Sequence, residues 1–182
     1  MFKTEILLTE EQIQNRVQEL ADKINADYEG TTLDVLCILK GSLVFAADLI
    51  RRLTIPLRIH FMQVRSYGGR TQSSGTVHLH FSSDYELKQC DVLLVEDILD
   101  TGITLEFVQE HLGQKNLKSS RTCVLLDKPV RRKVNIRPDY VGFEIEDHFV
   151  VGYGLDYKEF GRNLPYIGVI HHEDTENTEE KN

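Results

Sequence analysis

An α/β domain with a mostly parallel sheet flanked by helices is the architecture this sequence predicts, and three observations carry it. The runs Leu33–Leu39, Asp91–Val95 and Thr122–Leu126 are short and almost continuously apolar, as strands buried on both faces are. Segments with helical spacing lie between such runs, and strands alternating with helices imply right-handed crossovers and a parallel sheet. The composition, 41% hydrophobic and 27% charged over 182 residues, suits one domain with a substantial core.

The first element is a helix. Thr9-Glu10-Glu11-Gln12 fits a capping box, and Ile13, Val17, Leu20, Ala21 and Ile24 follow on one face until Asn25 to Gly30 ends the pattern. Leu33–Leu39 is the next strand, Lys40-Gly41-Ser42 a turn, and Leu43 to Leu53 a helix. Leu57 to Val64 reads as a strand and Ser66 to Gly75 as a mobile, glycine-rich loop. Asp91–Val95 is a central strand that passes through a polar turn into a helix from about Ile103 to Leu112, and Thr122–Leu126 and Tyr140–Ile145 are further strands. Sites in such sheets lie at the carboxyl ends of strands, which directs attention to the loops after Leu39, Val95 and Leu126.

Charge and cysteine usage exclude several classes of function. The net charge of −8 argues against a general nucleic-acid binder, although half of it lies in Glu173–Asn182, with five acids and one lysine. This tail has too few apolar groups to order itself and is expected to be disordered. No apolar run has the length of a membrane span and the N-terminus lacks signal-peptide character, so no membrane contact and a cytoplasmic location are expected. Three cysteines without Cys-x-x-Cys spacing argue against a disulfide framework or zinc site, and Cys37 and Cys123 sit inside apolar strands. His78 and His80 share one face of a strand and His171-His172 lie near the tail, but neither pair has a third ligand at suitable spacing.

The most informative stretch is Val92 to Leu105. An apolar strand there ends in Glu96-Asp97, and Asp100, Thr101, Gly102 and Thr104 lead into a helix whose N-terminus would present unpaired N–H groups to an anion. Neither Gly-x-x-x-x-Gly-Lys-Ser/Thr nor Gly-x-Gly-x-x-Gly occurs, so this is a phosphate cradle of another kind. Capping by Asp100 and Thr101 is the plain alternative. Two carboxylates beside a phosphate would repel it unless they bind its hydroxyls or share a divalent cation, which points to a sugar phosphate and magnesium.

Val95-Glu96-Asp97-Ile98-Leu99-Asp100-Thr101-Gly102-Ile103-Thr104 closely resembles the phosphoribosyl-pyrophosphate signature of type I phosphoribosyltransferases. Four further segments agree in order: Leu39-Lys40-Gly41-Ser42, Ser66-Tyr67, Leu126-Asp127-Lys128-Pro129, and Phe149 to Tyr157 followed by Arg162. Up to about Ile170 the chain is similar to the hypoxanthine(-guanine) branch of that family. The signature departs from its commonest form only at Leu99, where isoleucine is frequent, and the acidic tail has no counterpart. The resemblance implies the type I fold with a small hood built from N- and C-terminal segments, a catalytic domain over 1–172 and a separate tail over 173–182.

It also implies a reaction and a set of roles. A 6-oxopurine would displace pyrophosphate from phosphoribosyl pyrophosphate through an oxocarbenium-like transition state, with Mg2+ as cofactor. Asp100 resembles the acid/base residue at purine N7, Glu96 and Asp97 the ligands of the ribose hydroxyls, and Glu96, Asp97 and Asp156 the metal contacts. The 5′-phosphate would rest on Asp100, Thr101, Gly102, Ile103 and Thr104. Lys40, Gly41 and Arg162 would face pyrophosphate, with a cis peptide between Leu39 and Lys40. Ser66 and Tyr67 resemble the lid, and Lys128, Phe149 and Val150 the purine contacts. A homodimer or homotetramer is expected.

Plainer readings stand beside several of these. Lys128 opens the basic run to Lys133 and would by composition be solvated, Phe149 would by composition fill core, and Asp156 and Arg162 would be surface charges. A xanthine-guanine enzyme is the nearest rival. A nucleic-acid-binding regulator on the same fold would carry an added DNA-binding domain or a basic face, for which 182 residues and a charge of −8 leave little room, Arg131-Arg132-Lys133 being the only feature in its favour. A receiver-like signalling domain does not explain Asp-Thr-Gly-x-Thr or the Lys40-Gly41 turn.

Overall fold

The capping box forms as the sequence requires. Thr9 Oγ1 accepts the Gln12 N–H at 3.3 Å and Gln12 Oε1 accepts the Thr9 N–H at 2.9 Å, opening helix α1 (Glu10–Asp27), which follows strand β1 (Glu5–Leu8). The computed structural model describes residues 3–67, 76–81 and 87–170. Strand β2 (Leu33–Leu39) then runs into helix α2 (Leu43–Ile50), and strand β3 (Leu57–Tyr67) pairs with β4 (Thr76–Phe81). Strand β5 (Asp91–Leu99), helix α3 (Ile103–Gly113), β6 (Ser119–Asp127), β7 (Tyr140–Glu144), β8 (Val150–Val151) and β9 (Ile167–Val169) complete the order.

Six strands form the main sheet in the order β4-β3-β2-β5-β6-β7. All its pairings are parallel except the edge hairpin of β3 with β4, so the core of the sheet is five parallel strands. Alternate side chains feed two cores. Val35, Cys37, Leu93, Val95 and Cys123 pack with α1 and α2 on one face, and Leu36, Ile38, Val92, Leu94 and Val124 pack with Leu105, Val108 and Leu112 of α3 on the other. A second sheet, β1-β9-β8, is antiparallel and joins the two ends of the described chain, which is the hood expected from the resemblance.

Boundaries differ from expectation where pairing overrides pattern. Strand β5 does not stop at Val95: Ile98 and Leu99 pair with Leu126 and Asp127 of β6, so Glu96 and Asp97 lie inside the strand and not in a turn after it. Helix α2 ends at Ile50, three residues early, because Arg52 and Leu53 donate to Leu49 and Ile50 in tighter i to i−3 bonds. The backbone of Ser66 and Tyr67 belongs to β3, paired with Val77 and Thr76, and not to a loop. The remainder of the expected loop, residues 68–75, and the tail 173–182 lie outside the described residues, as do His171 and His172. His78 and His80 fall in β4, opposite Arg65 and Gln63.

One charge is buried in β2. Asp34 is fully buried, and Arg58 donates to it through Nε at 2.9 Å and Nη2 at 2.7 Å while His60 Nε2 lies 2.8 Å away. Burial alone would raise its carboxyl, but these partners hold it below the usual range.

Candidate active site

The carboxyl ends of β2, β5 and β6 converge, as a topological switch of a parallel sheet predicts. After β2 the Leu39–Lys40 peptide is cis, as the resemblance implies. Ser42 Oγ donates to Ile38 O at 2.6 Å and the Leu43 N–H to Lys40 O at 3.2 Å, which fixes a tight turn at Gly41. That glycine lies against Asp97: a Cβ there would fall 1.6 Å from Asp97 Oδ2. On its other side, a Cβ on Gly154 would fall 2.1 Å from Gly41 O. Three distant segments, 39–42, 96–104 and 152–162, thus meet at one glycine.

Within β5 the carboxylates of Glu96 and Asp97 are only partly exposed. Burial, with Asp97 next to it, raises the Glu96 carboxyl well above the usual range, and its Oε2 has no hydrogen-bond partner. Burial also lifts the Asp97 carboxyl to about 6, against the opposing pull of the Asp97 and Ile98 N–H groups and Arg162. An orphaned carboxylate oxygen in a polar cleft marks a place made for a ligand rather than for stability.

Gly102 caps α3 with φ of 84°, a left-handed conformation that glycine adopts without strain, and a Cβ would sit 2.7 Å from Val134 and 2.8 Å from Ile136. The plain reading of Asp100 as helix cap is therefore not what the structure shows. A cavity of about 70 Å³ lies at this helix N-terminus, lined by Glu96, Ile98, Leu99, Asp100, Thr101, Gly102, Thr104 and Leu105. Ile103, next to it, is half exposed at the first turn, where backbone N–H groups lack intrahelical acceptors.

Lys128 is buried, 6% exposed, which corrects its reading as a solvated residue. Its N–H donates to Leu99 O at 2.9 Å, tying it to the end of β5, and its Nζ donates to His148 O. Phe149 is also the reverse of its composition-based reading: it is 52% exposed, standing edge-on to Tyr157 with ring centroids 5.6 Å apart. Val150 is buried in β8.

On the opposite side Lys40 Nζ pairs with Glu159 at 2.7 Å. Arg162 Nη2 pairs with Asp156 at 2.6 Å, and Asp156 Oδ2 also accepts the Glu159 N–H at 2.8 Å. Asp156 is thus engaged by Arg162 and by the Glu159 N–H, and it lies near enough to Asp97 to raise that carboxyl further. Among the described residues no group of three or more His, Cys, Asp or Glu side chains is arranged to hold a metal. The adjacent pair still fits a hard divalent cation, because acceptor-only oxygens with an unmet valence suit Mg2+ when substrate oxygens supply the other ligands.

Sequence reasoning missed Arg131 and Arg132. Both pair with acids instead of standing free: Arg131 Nε lies 3.0 Å from Asp100 Oδ1, and Arg132 Nη1 donates to Asp100 O at 3.1 Å while its Nη2 pairs with Asp127. Arg131 and Arg132 are therefore engaged with Asp100, Asp127 and Asp147 rather than free in solvent. The only signal was its position directly after Lys128-Pro129.

A phosphate cradle at a helix start, carboxylates inside the central strand and a pair of flanking cations define a phosphoribosyl-transfer cleft. The chain belongs to the phosphoribosyl transferase domain family, whose model matches residues 3–158. It is 49% identical over 166 residues, 91% of this chain and 93% of the relative, to a hypoxanthine-guanine phosphoribosyltransferase of Staphylococcus aureus. Its identity to the enzyme of that name from Bacillus subtilis is 46%, covering 91% of this chain and 92% of the relative. Among solved structures, hypoxanthine phosphoribosyltransferase of Staphylococcus aureus superimposes with a TM-score of 0.87 at 49% identity, covering 94% and 93% of the two chains. That of Trypanosoma cruzi gives 0.91 at 39% identity, covering 98% and 97%.

Proposed function

We propose that this chain transfers the 5-phosphoribosyl group from phosphoribosyl pyrophosphate to N9 of hypoxanthine and guanine, yielding IMP or GMP and pyrophosphate for purine salvage. One observation carries the reading: a cavity at the N-terminus of α3 is lined by Glu96, whose Oε2 has no hydrogen-bond partner, and by Leu99, the residue to whose carbonyl the buried Lys128 is tied. Phosphate, ribose and base would each then have a complementary neighbour.

The 5′-phosphate would sit on the backbone from Asp100 to Thr104, where the helix N-terminus favours an anion. Glu96 and Asp97 would accept hydrogen bonds from the ribose hydroxyls, which suits groups that only accept. Lys40 and Arg162 would turn from Glu159 and Asp156 to the leaving pyrophosphate. As the C1′–O bond to pyrophosphate breaks and the bond from N9 to C1′ forms, Asp100 would take the proton that leaves purine N7. Mg2+ bound with the diphosphate would neutralise charge that this acidic cleft cannot.

Lys128 would donate to the purine C6 oxygen and Phe149, exposed in this chain, would cover the base, with Val150 alongside. Ser66 and Tyr67 would contribute to a lid that excludes water from the oxocarbenium-like centre. We place the catalytic unit at residues 1–172, in the cytoplasm, as a homodimer or homotetramer. Among the described residues no helix is long and apolar enough to cross a membrane.

A spectrophotometric assay with phosphoribosyl pyrophosphate, Mg2+ and each purine in turn tests this. Turnover of hypoxanthine and guanine with rejection of adenine is expected. Preference for xanthine over hypoxanthine would replace the proposal with the rival enzyme. Truncation after His172 should leave the rates unchanged, and light scattering would give the assembly.

A further inference from the structure

We infer that Arg131 is a positioning residue for the purine chemistry, the centre of an ion-pair chain Asp100–Arg131–Asp147–Lys128 that sets the proton acceptor at N7 relative to the donor at C6. The inference rests on the base-side roles proposed above for Asp100 and Lys128.

Lys128 and Arg131 stand at the two ends of one 3-10 turn, closed by the Arg131 N–H donating to Lys128 O at 3.1 Å. Both side chains reach the segment Glu146–His148, Lys128 Nζ donating to His148 O and Arg131 Nη1 meeting Asp147. Asp147 stands between them, its Oδ1 3.3 Å from Arg131 Nη1 and 3.8 Å from Lys128 Nζ. From the other edge of the same guanidinium, Nε lies 3.0 Å from Asp100 Oδ1. That oxygen is buried and makes no hydrogen bond, so the ionic contact with Arg131 is what counters its charge there.

The direction of the pull follows from the charges. Arg131 draws the Asp100 carboxylate toward the turn that carries Lys128, against the repulsion a bound phosphate would exert. Arg131 is matched to this by its shape. A rigid planar fork can hold two carboxylates on separate edges, and a lysine can serve only one of them at a time. The side chain is 46% exposed, so it is not a core element whose loss would unfold the domain.

Steady-state kinetics of Arg131→Gln, Arg131→Lys, Asp147→Asn and the double variant Arg131→Gln/Asp147→Asn test the inference. Arg131→Gln should raise the hypoxanthine KM about tenfold and lower kcat several-fold, as loss of a coupled charge contact does. The KM for phosphoribosyl pyrophosphate and the melting temperature should stay near wild type. Arg131→Lys should fall between, and the double variant should be no worse than Arg131→Gln. Hypoxanthine kinetics unchanged in Arg131→Gln, or losses shared equally by both substrates together with a lowered melting temperature, would overturn it. A wild-type chain inactive on every purine would instead remove the functional reading, so the two failures are distinct.

Discussion

The turn after β2 and the strand β5 touch through one pair: Gly41 and Asp97 are so close that a Cβ on the glycine would fall 1.6 Å from Asp97 Oδ2. The expected pyrophosphate turn and the expected ribose acceptor are therefore held as one unit. Gly41→Ala must swing the Asp97 carboxylate aside or lift the turn. We expect it to raise the KM for phosphoribosyl pyrophosphate at least about tenfold while costing only about 1 kcal/mol of stability, since a side-chain end can move more easily than backbone. Kinetics paired with thermal unfolding checks this.

Asp97 is a group the ligand-free fold holds at a cost. Its carboxyl stands at about 6 against an ordinary 3.8, raised by burial. A raised folded pKa contributes stability that is present below the unfolded pKa and lost as pH rises through about 6. Asp97→Asn should therefore stabilise the ligand-free protein by about 1–2 kcal/mol near pH 8, with the gain shrinking toward pH 4, and should abolish most activity. Urea unfolding of both proteins across that range would show it. A constant difference at all pH values would contradict it.

Asp100→Asn should cost roughly 10²–10⁴-fold in turnover if it accepts the N7 proton. Folding should stay near normal, because Gly102 and not Asp100 caps α3. Wild-type rates with a lowered melting temperature would return Asp100 to a structural role.

Lys128 bears on base choice because an ammonium donates and cannot accept. Adenine would set an amino group against it and leave both unpaired, so we expect rejection by about 10⁴-fold. Lys128→Ala should weaken use of hypoxanthine and guanine and narrow their advantage over adenine. Competition kinetics with the three bases measures this directly, and unchanged preference would contradict it.

Much of this was legible in the sequence, for physical reasons that also mark the limit. The parallel strands were readable because burial on both faces leaves continuous apolar runs, and the capping box at Thr9 because its two side chains satisfy each other locally. The hood strands β8 and β9 have two and three residues, too few to show a period. Glu96 and Asp97 read as a strand end, since acids seldom sit inside a parallel strand without partners such as Arg58 and His60 provide for Asp34. Lys128 and Phe149 each invert their usual burial, and composition reports only the usual case. Arg131 and Arg132 looked like a solvated run because their partners, Asp100, Asp127 and Asp147, are reached only through the fold.

The most direct measurement follows the phosphoribosyl group itself. Purified protein with Mg2+, phosphoribosyl pyrophosphate and isotopically labelled hypoxanthine should form labelled IMP and pyrophosphate in equal amounts, and the reaction should stop on exhaustive chelation of the metal. Pyrophosphate released without labelled nucleotide, or nucleotide formed undiminished after chelation, would contradict the transfer reaction proposed for this cleft.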